Sequence, residues 1–327
     1  MSRLLIEVKN LHVWFQVFGG ILKVLDGVNL SIKPGEMVGL IGETGCGKTT
    51  TMKAIMRLLI TPPAIIPKGE ILFMNGKDIL RMSPEELRQI RRKEISIIFQ
   101  DPTASLNPVF TIGTQLQDAI RFSALGSKLG KKDIRERAIQ VLKDVSLSDP
   151  ERILQFYPIQ LSGGMRQRVS ISMALISSSK LIIADEPSTS LDVTIGDQIL
   201  RLLKELGKEK NTSIMLISHA LGTVRGMTDR LYVMYAGNIA EEGETEDLFA
   251  HPLHPYFQGL LKAIPRLTGD GIGEGIEGHI PDYMNPPKGC RFYPRCKQAM
   301  PVCKDKKPPF FKVGDNHQVA CFLFQKV

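Results

Sequence analysis

The segment Gly42-Glu43-Thr44-Gly45-Cys46-Gly47-Lys48-Thr49 sets three glycines, a lysine and a hydroxyl at the spacing G-x-x-x-x-G-K-[ST]. Glycines let backbone N–H groups turn inward around phosphate oxygens. A helix beginning at Lys48 would aim its positive end at the same anion. Lys48 is then placed for β- and γ-phosphates, the Thr49 hydroxyl for Mg²⁺, and Thr50 for the nucleotide. Cys46 contributes its backbone. The pattern has meaning only between a strand and a helix, and the apolar run Met37 to Ile41 supplies the strand.

A second group is acidic. Leu181 to Ala184 is wholly apolar and ends in Asp185 and Glu186. Acids at the carboxyl edge of a parallel sheet stand where ligands bind. Asp185 is placed to hold Mg²⁺ through water, and Glu186 to polarise an attacking water as general base. Such a pair at a strand end means little alone; beside a phosphate loop it reads as the second half of a hydrolytic site.

The elements that must position these groups are legible as patterns. Residues 3 to 33 alternate weakly between apolar and polar, which predicts antiparallel strands with one buried face. Short apolar runs at Ile95 to Phe99 and Ile214 to Ile217 predict further buried strands. Thr194 to Glu209 is an amphipathic helix, and Ser83-Pro84-Glu85-Glu86 carries a capping box. Thr111 to Ser178 is mostly helical in pattern. Buried strands separated by helices predict a mainly parallel sheet. Gly269 to Gly278 reads as a linker, followed by a separate small unit rich in Pro and Cys.

Composition narrows the class. The chain has 327 residues, 43% hydrophobic and 23% charged, with net charge +8. No apolar run is long enough to span a bilayer, and the N-terminus lacks a secretory pattern. The basic residues are dispersed and not interleaved with aromatics, so no nucleic-acid surface is expected.

With these residues in hand, Leu161-Ser162-Gly163-Gly164-Met165-Arg166-Gln167-Arg168 resembles the signature motif of ATP-binding cassette (ABC) ATPases. Its serine and glycines lead a helix and so form a second anion-binding terminus. In that family two cassettes dimerise head to tail around ATP and Mg²⁺, so the resemblance implies that Ser162, Gly163 and Gly164 act in trans. Phe15 resembles the aromatic that stacks on adenine, with Trp14 and Phe18 as alternatives. Gln100 resembles the glutamine that contacts Mg²⁺ and the attacking water. Ser190-Leu191-Asp192 resembles the loop that signals between protomers, and His219 the switch histidine at the γ-phosphate. Departures are Ala220 where an acid commonly follows the histidine, Phe15 where Tyr is frequent, and Gly196 where Gln is.

The resemblance implies an α/β P-loop NTPase cassette over residues 1–250, with an N-terminal antiparallel β subdomain and a helical subdomain at about 101–178. A small cysteine-rich extension would occupy 251–327. His254-Pro255-Tyr256, Leu260 to Pro265 and Gly289-Cys290-Arg291-Phe292-Tyr293-Pro294-Arg295-Cys296 resemble the C-terminal extension of oligopeptide and dipeptide importer ATPases. This favours peptide cargo, with nickel or sugar import or a non-transport ABC ATPase as alternatives. It implies a second ATPase subunit (paralogue or self), two transmembrane permease subunits and, indirectly, an extracytoplasmic binding protein. The chain would sit peripherally on the cytoplasmic face of the membrane.

Cys290, Cys296, Cys303 and Cys321 follow the spacing C-x5-C-x6-C-x17-C. Four thiolates can hold zinc or an iron–sulfur cluster, and the gaps are wider than the tight pairs of structural zinc. The family resemblance implies a [4Fe–4S] cluster; zinc, or cysteines that bind nothing, stay open. His317 is a reserve ligand.

Overall fold

The computed structural model describes residues 4–74, 76–123, 126, 129–177, 179–189, 191–264, 275–314 and 316–325. Among them, twelve strands run in chain order: β1 (Ile6–Val17), β2 (Gly20–Ile32), β3 (Met37–Ile41), β4 (Ala64–Phe73), β5 (Lys77–Asp78), β6 (Ile95–Ile98), β7 (Leu181–Asp185), β8 (Ser213–Ser218), β9 (Arg230–Tyr235), β10 (Asn238–Glu244), β11 (Phe311–Lys312) and β12 (Gln318–Val319). The chain forms two compact units, Met1–Arg81 with Ile217–Val327, and Met82–Leu216.

In the first unit β1 and β2 form a long antiparallel hairpin, and β4 pairs antiparallel on the other side of β1. Every second or third residue, such as Val8, Leu11, Val13 and Val28, is buried, which is the pattern of a sheet with one covered face. The other strands of this unit lie in the order β11-β12-β10-β9-β3. Strand β3 runs parallel to β9, whereas β10 is antiparallel to it. All five residues of β3 are buried, so it needs no alternation. It delivers the chain into the glycine loop and then the helix Lys48–Ile55.

The cysteine-bearing tail falls within the first compact unit. Strand β12 pairs antiparallel with β10 through Glu241↔Val319 and Glu242↔Gln318, which joins the tail to the first unit. The expected linker lies mostly in 265–274, outside the described residues.

In the second unit the strands lie in the order β8-β7-β6, with β6 parallel to β7. Helices follow at Pro84–Lys93, Pro102–Ser105, Ile112–Phe122, Lys131–Asp144, Pro150–Ile153, Gly163–Ala174 and Val193–Glu209. Their starts are set by side chains. Ser83 and Glu86 complete the capping box, while Thr111, Ser162 and Asp192 each accept a bond from a first-turn N–H. Among the described residues no helix is long and apolar enough to cross a membrane.

Candidate nucleotide site

In the first unit the loop between β3 and the helix Lys48–Ile55 has a backbone that only glycine permits at two places. Gly42 has φ +153°, and a Cβ there would lie 2.1 Å from the carbonyl oxygen of Met234. Gly47, at φ +110°, would collide with Leu25 at 2.7 Å. Gly47 also precedes the helix without a side-chain cap, so nothing of its own competes with an anion for the first-turn N–H groups. Lys48 is buried, and its ammonium donates to the carbonyls of Gly42 at 2.8 Å and Glu43 at 3.1 Å. Thr44, Gly45 and Thr49 are exposed and Thr50 is half-buried. Cys46 is fully buried, and burial pushes its thiol up to about 11, only partly offset by Lys48. It is a neutral packing group there, and its carbonyl accepts from Gly237 N–H at 2.7 Å.

Also in the first unit, His219 is exposed just beyond β8, where Ser218 Oγ accepts from Ala220 N–H at 2.9 Å. Phe15 is half-buried on β1, in register with Leu22 and Ala64. Its neighbour Trp14 receives the Lys23 ammonium at 5.8 Å from the ring centroid, and Phe18 is fully exposed at the hairpin turn.

In the second unit the parallel register places Ile98 of β6 beside Ala184 of β7. The two strand ends therefore emerge together, and the residues two places on meet. Gln100 Nε2 donates to Glu186 Oε2 at 3.0 Å, and Thr189 Oγ donates to the same oxygen at 3.0 Å. Asp185 closes β7 and is 3% exposed, while Glu186 turns outward with φ +47°. Sequence spacing alone gave no sign that Gln100 and Glu186 touch.

The same unit holds the signature segment. Ser162 Oγ accepts from Met165 N–H at 3.3 Å and caps the helix Gly163–Ala174. A Cβ on Gly164 would lie 2.9 Å from Ile195, and one on Gly163 would lie 3.5 Å from Leu191. The signature helix start thus packs on the segment around Asp192, whose carboxylate caps the next helix at 3.0 Å from Ile195 N–H. Ser190 lies outside the described residues.

Three loop contacts were not foreseen. Glu43 N–H donates to the Tyr256 hydroxyl at 2.8 Å, Tyr283 donates its hydroxyl proton to Gly45 carbonyl at 2.7 Å, and Arg295 forks onto the Glu43 carboxylate at 2.7 and 3.1 Å. All three partners lie more than 200 residues downstream, beyond any local pattern.

Cys290, Cys296, Cys303 and Cys321 are free thiols that line one narrow pocket beside His254, Phe292 and Pro308. Burial pushes Cys290 and Cys321 up to about 11, with neighbouring thiols adding to the shift, and raises Cys296 as well. No group of three or more His, Cys, Asp or Glu side chains among the described residues is arranged to hold a metal ion. His317 is no reserve ligand. Its ring nitrogens bond Glu241 at 2.8 Å and Asp247 at 2.9 Å.

A glycine loop with a buried lysine ahead of a helix, and an acid pair ending a parallel strand, define a P-loop nucleoside triphosphatase. Comparison with known proteins narrows this. The ABC transporter family matches residues 25–189, and the oligopeptide/dipeptide transporter C-terminal region matches residues 240–303. The oligopeptide transport ATP-binding protein OppD of Bacillus subtilis (strain 168) is 44% identical over 98% of this chain and 88% of its own length. The dipeptide transport ATP-binding protein DppD of the same organism is 45% identical over 97% and 94%. The solved ATP-binding cassette MJ0796, a dimer in a post-hydrolysis state bound to ADP and Pi, superposes with TM-score 0.65 at 30% identity, over 73% of this chain and 98% of its own. The chain belongs to the ABC transporter family, among the ATP-binding proteins of the oligopeptide/dipeptide branch.

Proposed function

We propose that this chain hydrolyses ATP to power import of dipeptides or oligopeptides, held peripherally at the cytoplasmic face of the membrane by two permease subunits. The observation that carries the reading is the presence, in one chain with the peptide-importer C-terminal region, of two glycine-bearing helix starts, a geometry suited to anions. One follows the glycine loop at Lys48 and the other is led by Ser162. One nucleotide needs both, which fits a head-to-tail dimer with a second ATPase subunit, a copy or a paralogue.

In this reading residues 42–50 wrap the phosphates. Lys48 leaves its loop carbonyls for the β- and γ-oxygens, and Thr49, Gln100 and Asp185, the last through water, would hold Mg²⁺. Bound there, Mg²⁺ would neutralise phosphate charge. Phe15 stacks on adenine. Glu186 accepts the proton of the attacking water, oriented by Gln100, and His219 touches the γ-phosphate. Ser162, Gly163 and Gly164 close on the partner's nucleotide, and Asp192 signals across the interface. Closure switches the permease, and hydrolysis reopens it.

The four-cysteine pocket is read as the holder of a [4Fe–4S] cluster. What supports this reading is that the four thiols line one pocket and that their spacing resembles the peptide-importer extension; thiolates are the ligands such a cluster takes. Bound there, a cluster would tie together the four cysteines along the tail and supply the positive charge that thiolates in a buried pocket require.

Proteoliposomes carrying this chain, its companion ATPase and the two permeases are expected to accumulate labelled peptides when given MgATP and the binding protein. Hydrolysis without peptide uptake would overturn the cargo. Failure to retain nucleotide or to associate with the companion would overturn the ATPase reading. Anaerobically purified protein should contain iron and acid-labile sulfide in equal amounts; stoichiometric zinc without sulfide refutes the cluster.

A further inference from the structure

The residues that hold the glycine loop from outside come from the tail. Arg295 Nη1 and Nη2 reach the two carboxylate oxygens of Glu43, a bidentate pair in which the arginine side chain is 5% exposed and the glutamate 23%. Its remaining donors are spent on the carbonyls of Glu277 at 2.8 Å and Ile276 at 3.0 Å and on the Tyr235 hydroxyl at 3.3 Å. The guanidinium is thus fixed on every side. Tyr283 holds the Gly45 carbonyl, and its own carbonyl accepts from Lys23 N–H at 2.8 Å.

We propose that Arg295 and Tyr283 are positioning residues for nucleotide binding: the tail shapes the phosphate loop and cancels its acid before the triphosphate arrives. The proposal rests on the reading of that loop as the ATP site.

Two physical effects act together. Glu43 stands one residue inside a cradle meant for a polyanion, and an unpaired carboxylate there repels phosphate. Arg295 offsets that charge, and with the arginine buried and the glutamate half-buried the pair is screened less than one on the open surface. Tyr283 acts on shape. In a planar trans peptide the carbonyl and the following N–H point opposite ways, so fixing the Gly45 carbonyl also fixes the Cys46 N–H, which closes the loop's turn on the Glu43 carbonyl at 3.2 Å. A loop already ordered gives up less entropy when ligand binds. Neither residue needs to touch the reacting atoms, so the effect falls on affinity more than on turnover.

The test is calorimetric titration of MgATP into the full-length chain, with melting temperature and steady-state kinetics measured alongside. Arg295→Ala is expected to weaken MgATP binding on the order of tenfold, equivalent to about 1.4 kcal/mol. KM should rise by more than kcat falls. Tyr283→Phe, which keeps the ring and loses only the hydroxyl, should weaken binding about threefold, and Arg295→Lys should recover part of the loss. Glu43→Ala combined with Arg295→Ala should bind no more weakly than Arg295→Ala alone, because the repelling acid is gone. A lowered melting temperature with MgATP affinity at the wild-type value would overturn the proposal, as would fully additive losses in the double variant. If Arg295→Ala does not fold, unchanged affinity in both Tyr283→Phe and Arg295→Lys would overturn it. A wild-type chain that fails to bind MgATP defeats the underlying ATPase reading instead.

Discussion

Replacing Glu186 by Gln isolates its chemistry from its packing. Glu186 Oε2 accepts from both Gln100 and Thr189 at 3.0 Å. A glutamine has the same length and one carbonyl oxygen, which can accept both bonds. The loss to the fold is the difference between a charged and a neutral acceptor, about 1 kcal/mol for each bond before solvent screening at this partly exposed site. Folding should therefore change by about 1 kcal/mol or less. The loss to turnover is larger, because the amide cannot take a proton. General-base catalysis contributes roughly 10²–10⁴-fold, or about 2.7–5.4 kcal/mol in the barrier. Phosphate release measures turnover, and size-exclusion chromatography with MgATP, alongside the companion ATPase, measures the dimer. The expected result is retained ATP, a persistent closed dimer and stalled hydrolysis. Turnover within about threefold of wild type would refute Glu186 as the base.

Lys48→Ala removes the buried ammonium and should weaken MgATP binding by about 10- to 100-fold, given about 1.5–3 kcal/mol for a charge-assisted bond; unchanged affinity by calorimetry contradicts its role. Ser162→Ala deletes the cap on the signature helix and should cost about 1 kcal/mol in urea unfolding while also impairing ATP-driven dimerisation. A stability loss with normal dimerisation would leave Ser162 a cap only. The two tail histidines give opposite pH slopes. Burial opposes charge on His317, but its bonds to Glu241 and the Asp247 carboxylate prevail and raise its pKa above the ordinary 6.5. Its stabilisation is complete below 6.5 and is lost as pH rises through the folded value. Burial drives His254 down to about 4, so its contribution is present above 6.5 and is lost as pH falls towards 4. Calorimetric melting temperatures should thus decline on the alkaline side in wild type and stay level there in His317→Gln; equal declines would refute the linkage.

What the sequence disclosed follows from the range of the forces involved. The Lys48 helix, the Ser83 capping box and the strand ending at Asp185 are set by contacts a few residues apart, so local pattern found them. Glu43 was read only as a member of the loop motif, with no sign of an ion pair, because its partner Arg295 is 252 residues away. Glu186 was assigned from its place at a strand end and Gln100 by resemblance, but their direct bond depends on the β6–β7 register, which neither segment encodes alone. His317 was misread for a related reason. Its nearness to Cys321 in sequence suggested a shared ligand set, whereas the strand pairing of β12 with β10 carries it to Glu241.

That pairing also governs how the protein can be shortened. Strand β10 would otherwise present a row of open N–H and C=O groups along its outer side. The last two short strands occupy that row, with β11 set beyond β12. A chain cut ahead of Phe311 would keep its glycine loop yet carry an adhesive border, able to recruit the same strand from a neighbour and grow into aggregates.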